Sequence, residues 1–419
     1  MGYGFFSTSE LKKLNTVKIA DSECGTCGLW KYCKTPKMKP TGEGKKKIMI
    51  VAEAPGEMED ARGIQLIGEC GQLLRRHLFE LDIDLDEDCY KTNSVCCRPE
   101  ENAIPTEKQI VACRSRLFKE IRDFNPKVLI LLGSIACKSV ISELREESSG
   151  SINMWRGCAI PDQTLKCWVC STFHPSYVLR EERNRAVELI FQQDLKHALS
   201  FLETPVPDNS DMFNRINILT EKNAVVLFDR MNGLPPKMCA FDYETSGIKP
   251  HRKGHKIVCM SLCFSEKEAY SFMLTPKLIP YIKRFLVDKR VGKIASNMAF
   301  EESWSLVIFG VSVENFIWDT MVNTHVLDNR PGITSIKFQT YLRYGIAKYN
   351  SSVEKYLTSG EDKDSNTRNK GEEKDSNAFN KIDECDQLSL LKYCGLDSLF
   401  EYITAIRQMG EMADVPNFI

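Results

Sequence analysis

No run of 18 apolar residues occurs anywhere in the 419-residue sequence, which excludes a helix apolar and long enough to span a bilayer. The opening stretch, MGYGFFSTSELKKLN, lacks a basic segment followed by a long apolar one. A secretory leader is therefore not expected, and the chain is expected to be cytoplasmic. Excess charge of one sign is also missing: 56 Lys and Arg face 57 Asp and Glu, and the balance holds on either side of residue 205. That excludes a nucleic-acid binder working by bulk charge alone. One local exception is the stretch 31–47, where Lys31, Lys34, Lys37, Lys39, Lys45, Lys46 and Lys47 face only Glu43. Without a motif around it, it reads as a solvated, flexible segment.

Length and a hydrophobic content of 42% predict two globular domains. In the first half, strand signals at Lys47–Ala52, Tyr90–Val95, Val128–Leu132 and Cys167–Phe173 alternate with helical ones at Gly71–Leu81, Thr106–Phe124, beyond Gly133 and from about Arg183 to Leu202. This alternation predicts an α/β domain, a parallel sheet with helices on both faces. PVPDNSDM (205–212) reads as a break, so the domains are drawn as 1–205 and 216–419 with a linker at 206–215. The second half restarts with strands at Cys239–Tyr243, Ile257–Phe264 and Ala269–Leu274, then a helix near Ile279–Val287 and a strand at Lys293–Ser296. Residues 359–381 are charged and almost without apolar side chains, which predicts a disordered insertion.

Seventeen cysteines are many for a reducing compartment, and twelve of them precede residue 175. Clustered cysteines there indicate metal or cluster ligation rather than disulfides. Cys24-x-x-Cys27 combined with Cys97 and Cys113 supplies four thiolates, able to hold tetrahedral zinc or an iron–sulfur cluster. A rival set pairs Cys24 and Cys27 with Cys167 and Cys170. It ranks lower, because residues three apart on a strand point to opposite faces.

Five motifs follow one another in order: VAEAPGEMEDARG (51–63), GECGQLLR (68–75), TNSVCCRP (92–99), VACRSRL (111–117) and FHPSYVLR (173–180). Together they resemble the family 4 uracil-DNA glycosylases over roughly residues 20–203. The resemblance implies a three-layer glycosylase fold and a [4Fe–4S] cluster on Cys24, Cys27, Cys97 and Cys113, with Cys33, Cys70 and Cys96 as bystanders. It also implies that Glu53 orients water, Asn93 hydrogen-bonds uracil, and His174 stabilises the anionic leaving group. Glu59 would lie by the base C5 edge and help exclude thymine. These are suitable parts for an enzyme that flips a base into a closed pocket and stabilises the charge growing on it. Two residues depart from the pattern: Ala52 stands where glycine opens the EAPG motif, and Leu66 stands where an aromatic stacks on uracil. Base–aromatic stacking is worth about 1–3 kcal/mol, so weak or altered activity is expected.

The second half carries Asp242-x-Glu244 after a strand, Asn297-x-x-Phe300-Glu301 after another, and Tyr393-x-x-x-Asp397 at helical spacing. In this order they resemble the three motifs of DEDDy 3′–5′ exonucleases, the proofreading domain of family A DNA polymerases above all, over about residues 216–410. An RNase H-like fold is implied. Asp242, Glu244, Glu301 and Asp397 would bind two Mg²⁺ or Mn²⁺, and Tyr393 would orient the attacking water. Hydrolysis by two metals about 3.5–4 Å apart needs such a set of carboxylates. Glu301 replaces the usual Asp, one methylene longer, and Asp319 reads as structural.

A glycosylase-like domain before a proofreading domain resembles the front of certain bacteriophage family A DNA polymerases, and the cytoplasm would then be the host's. No polymerase motif follows, so a polymerase module is expected in trans or in sequence not included here. DNA is the expected partner, through single-stranded 3′ ends and uracil-containing sites, and no membrane. Three readings stay open: both sites active; an active nuclease beside a non-catalytic DNA clamp; a replisome binding module with both sites degenerate.

Overall fold

Ile48–Ala52 is five apolar residues in succession, all buried, the pattern of a strand covered on both faces. It forms β1 at the heart of the first sheet, followed by β2 (Cys89–Asn93), β3 (Val128–Leu132), β4 (Ala159–Asp162) and β5 (Cys167–Thr172). The computed structural model describes residues 24–146, 148–181, 184–357 and 379–413. The strand order is β2-β1-β3-β5-β4. The first four strands are parallel, as the alternating pattern predicts. The fifth departs from it, because β4 runs antiparallel to β5. Asp162 Oδ1 accepts from the backbone N–H groups of Thr164 and Leu165, at 2.9 and 2.7 Å. So tight a turn can join only antiparallel strands.

Helices Glu69–Phe79, Glu107–Phe124, Gly133–Arg145 and Arg185–Leu199 belong to the same unit. Thr106 caps the second of these in a reciprocal box with Gln109, satisfying two otherwise orphaned donors. The basic stretch 31–47 is anchored rather than flexible. Asp60 accepts from the backbone of Lys34 and Thr35 at 2.9 and 2.8 Å, Met38 N–H donates to the Cys96 carbonyl at 2.9 Å, and Thr41 pairs with Lys91. Lys45 and Lys46 pair with Glu87 and Asp88, neighbours that a count within the segment does not include.

The chain divides into two compact units, residues 1–209 with 341–347, and 210–340 with 348–419. Assigning everything after 216 to the second domain is thus corrected for 341–347. Tyr341 Oη donates to Asp162 Oδ2 at 3.2 Å and Asn209 Nδ2 to the Tyr344 carbonyl at 2.8 Å, contacts between residues far apart in the chain.

The second unit holds β6 (Ile216–Ile218), β7 (Met238–Thr245), β8 (Ile257–Ser265), β9 (Glu268–Met273), β10 (Gly292–Ala295) and β11 (Phe316–Asp319) in the order β11-β10-β7-β8-β9-β6. Strands β7, β8 and β9 form an antiparallel meander, and the remaining pairings are parallel. The long helix Gln387–Ala413 packs on this sheet, with Ser261 Oγ donating to the Cys394 carbonyl at 2.7 Å. The predicted insertion 359–381 lies outside the described residues up to 378. Its last three residues are ordered: Asn380 Nδ2 donates to the Thr245 carbonyl at 2.8 Å, and Phe379 packs edge-on against His255. No helix among the described residues is long and apolar enough to cross a membrane.

Candidate active sites

In the first unit, the carboxyl ends of β1, β2, β3 and β5 open on one cavity of about 960 Å³, lined among others by Glu53, Asn93, Ser134, His174 and Arg180. A crevice outside the carboxyl ends of parallel strands is where α/β sheets bind ligands. The chain leaves the strands still paired, since Ser94 N–H donates to the Ala52 carbonyl at 2.8 Å and Val95 N–H to the Glu53 carbonyl at 3.0 Å. Glu53 and Asn93 are thereby held side by side, and Arg116 secures the Asn93 carbonyl from behind. Asn93 is 3% exposed, yet its Nδ2 has no hydrogen-bond partner among the described residues. A buried donor without a partner costs about 1–3 kcal/mol, which a carbonyl acceptor on a ligand would restore.

His174 caps the helix Pro175–Arg180, its Nδ1 accepting from the Ser176 backbone N–H at 3.2 Å. Burial, assisted by the charge of Arg180, pushes this imidazole down to about 4. With Nδ1 accepting, the neutral ring carries its proton on Nε2 and is a hydrogen-bond donor at neutral pH. Glu53 moves the other way, raised by burial against the opposing pull of Arg180. Gly133, at φ +82, lets the turn after β3 pass close to His174. A Cβ there would stand 2.8 Å from the His174 Cβ.

Glu59 lines the cavity, but its Oε1 accepts from the Ile67 and Gly68 N–H groups at 3.1 and 2.9 Å, so its carboxylate first of all shapes the 66–68 loop. Leu66 also lines the cavity, 5% exposed and in the left-handed region at φ +55. Gly71 admits the Leu66 carbonyl, which a Cβ would meet at 1.8 Å. Phe173, Tyr177 and Arg180 also line the cavity and are not among the expected site residues. The first two rings lie 4.9 Å apart on the cavity wall. Their presence inside the FHPSYVLR motif was the available signal.

Beside this cavity, Cys27, Cys33, Cys96, Cys97 and Cys113 gather with Leu29, Val95, Ile110 and Ile135. The Cys96 and Cys113 sulfurs are 3.9 Å apart, and Lys37 N–H donates to Cys97 Sγ at 3.3 Å. The structure therefore brings three of the four expected ligands together, adds Cys33 and Cys96, and leaves Cys24 exposed. Cys167 and Cys170 are buried in β5 and are not in that cluster.

In the second unit, Asp242 and Glu244 alternate onto one face of β7, opposite Ser261 and Cys259 of β8. Ligand atoms of Asp242, Glu244 and Cys394 all lie within 4.8 Å of one another. Asp397 and Tyr393 project from the long helix, one turn apart. Tyr349 Oη donates to Asp397 Oδ1, with its ring stacked at 5.9 Å on that of Tyr393. Glu301 sits on the helix Met298–Trp304. Asp319 holds the start of that helix, accepting from Asn297 N–H at 3.1 Å and Met298 N–H at 2.8 Å. It also caps the helix Thr320–Leu327 through the Met321 and Val322 N–H groups.

The carboxyls raise one another's pKa. Burial comes first at Asp242, Glu244 and Glu301; next come the charge of Asp397 on Asp242, and of Asp242 on Glu244 and Glu301. Asp397 is raised by burial and moderated by Lys337, Tyr349 and Tyr393. A buried group of acids with so little opposing charge is suited to divalent cations. Lys337, Tyr349, Cys394 and Glu401 were not anticipated. Glu401 had a signal, the continuation of Tyr393-x-x-x-Asp397 by another four residues.

The sequence profile of the uracil DNA glycosylase superfamily matches residues 39–199, and that of a 3′–5′ exonuclease family matches 216–404. A type-4 uracil-DNA glycosylase of Sulfurisphaera tokodaii is 32% identical over 206 residues, covering 48% of this chain and 91% of that protein. The chain belongs to the type-4 uracil-DNA glycosylase family. A type-4 enzyme of Thermotoga maritima is 37% identical over 164 residues, 39% of this chain and 82% of that protein. Behind the glycosylase domain stands a 3′–5′ exonuclease domain. A DNA polymerase of Bacillus phage SP01 is 24% identical over 362 residues, 78% of this chain but 37% of the polymerase. The similarity to that phage polymerase therefore runs across most of this chain.

Proposed function

We propose that this chain excises uracil from DNA and trims DNA 3′ ends, as the front portion of a phage-type family A DNA polymerase whose polymerase module is supplied by a further segment or chain. The observation that carries the excision reading is the pairing of an unpartnered Asn93 Nδ2 with a neutral His174 in one cavity. Asn93 Nδ2 donates to a carbonyl of the flipped base and restores its missing hydrogen bond. His174 Nε2–H donates to the oxygen on which negative charge grows as the glycosidic bond breaks. A neutral donor suits that task, because its hydrogen bond strengthens as the charge develops. Glu53, raised by burial and partly offset by the charge of Arg180, orients water toward the sugar carbon in its ionised form. Leu66 contributes apolar contact without stacking, so binding of the base is weaker than with an aromatic there.

A [4Fe–4S] cluster fits the cysteine set. Cys27, Cys97 and Cys113 converge with an N–H···S donor at Cys97, and Cys24 completes the set from the surface, with Cys33 and Cys96 as the rival fourth thiols. Bound there, the cluster would tie the segment around Cys24 to the core. In the exonuclease domain, Asp242, Glu244, Glu301 and Asp397 would hold two Mg²⁺ or Mn²⁺, which supply a nucleophilic water and neutralise the leaving oxygen. Tyr349 orients Asp397, and Tyr393 orients the attacking water.

The test is a 5′-labelled oligonucleotide with a single uracil, incubated with the protein in EDTA and then treated with hot alkali. Cleavage at uracil alone is expected, since EDTA silences the nuclease and excision requires no added metal. An intact strand would reduce the first domain to a DNA clamp.

A further inference from the structure

One turn beyond Asp397 on the helix Gln387–Ala413 stands Glu401, so Tyr393, Asp397 and Glu401 form a ladder at i, i+4, i+8 on one face. Glu401 is 2% exposed, and its Oε2 has no hydrogen-bond partner among the described residues. Glu301, likewise 2% exposed, also keeps a bare Oε2. The backbone N–H of Ser296, just ahead of the helix that carries Glu301, is among the groups that favour the charged Glu401 carboxyl against burial. The charges acting on Glu401 are those of Asp242, Glu301 and Asp397. Two bare carboxyl oxygens buried among like groups are costly unless a cation lies between them.

We propose that Glu401 is a fifth carboxylate of the divalent-metal site, acting beside Glu301, whose extra methylene departs from the expected aspartate. This rests on the exonuclease reading of Asp242, Glu244, Glu301 and Asp397. The oxygen that Glu401 leaves bare is the one offered to the metal.

Mn²⁺ binding followed by electron paramagnetic resonance of the free ion, on the full chain without DNA, tests this directly. E401Q keeps the size of the side chain and removes the charge. The expected result is Mn²⁺ affinity lowered about tenfold, with a smaller rise in melting temperature on adding Mn²⁺. Mn²⁺ affinity equal to that of the unaltered protein overturns the proposal and leaves Glu401 a structural residue of the helix. Should E401Q not fold, E401D retains the charge and withdraws the oxygen by one methylene; unchanged affinity there also overturns it. D242A separates the two claims. Lost Mn²⁺ binding in D242A with unchanged binding in E401Q removes Glu401 alone, whereas unchanged binding in D242A overturns the metal site and Glu401 with it.

Discussion

Replacing Asp319 probes how the exonuclease domain holds Glu301 in place. Its Oδ1 accepts from the N–H groups of Asn297, Met321 and Val322 at 3.1, 2.9 and 3.2 Å. Its Oδ2 accepts from Met298 at 2.8 Å. D319A strips four backbone donors of their acceptor at a residue 6% exposed. At about 1 kcal/mol per hydrogen bond, the loss is about 4 kcal/mol. The negative charge of Asp319 also helps to raise the Glu301 pKa, so relief of that repulsion offsets part of the loss. For a domain of this size a loss of about 4 kcal/mol corresponds to a fall of at most roughly 8–16 °C in the melting temperature. D319N retains an oxygen where Oδ1 stands and opposes the Met298 N–H with an amide donor, so it should lose about 1–2 kcal/mol. Differential scanning calorimetry of the full chain measures the order. Mg²⁺ titration of the nuclease should shift to higher concentration in the same order, because the helix start that positions Glu301 loosens. Equal damage from Ala and Asn, or a D319A loss below about 1 kcal/mol, would refute the hydrogen-bond account.

Other outcomes follow from the two sites. D242A should abolish 3′-end trimming and leave uracil excision in EDTA unchanged; loss of both would sink the idea of two independent sites. The acid limb of kcat/KM for excision should lie above the ordinary carboxylate value, because burial raises Glu53, and protonating it removes the group that orients water. In E53Q the residual acid limb should move down to about 4, where His174 charges. The stability that a neutral His174 contributes is fully present above its unfolded value near pH 6.5 and is lost as pH falls to about 4. A wild-type acid limb that stays unshifted in E53Q contradicts this assignment. L66F should lower KM for uracil-containing DNA about tenfold through restored stacking, with room in a cavity of about 960 Å³. An unchanged KM in a folded variant would show that Leu66 does not face the base.

What the sequence by itself determined was whatever is written locally or in ordered motifs. The apolar runs of β1 and β3, the Thr106 cap and the D-x-E alternation on β7 follow from period and neighbour chemistry over a few residues. The ordered motifs likewise single out Glu53, Asn93 and His174, and Asp242, Glu244, Glu301 and Asp397, as candidates. Only the tertiary structure decided what depends on residues far apart in the chain. The short strands β6 and β11 carry too few residues for a periodic signal, and pairing with β9 and β10 makes them strands. Residues 341–347 join the first unit because Asp162 and Asn209 hold them there. The basic stretch is ordered because Asp60, Asp88 and Cys96 meet it in space. His174 is a neutral donor because folding buries it beside Arg180 and sets Ser176 N–H against Nδ1. Protonation state, tautomer and unsatisfied hydrogen bonds are properties of surroundings, and the fold supplies those surroundings.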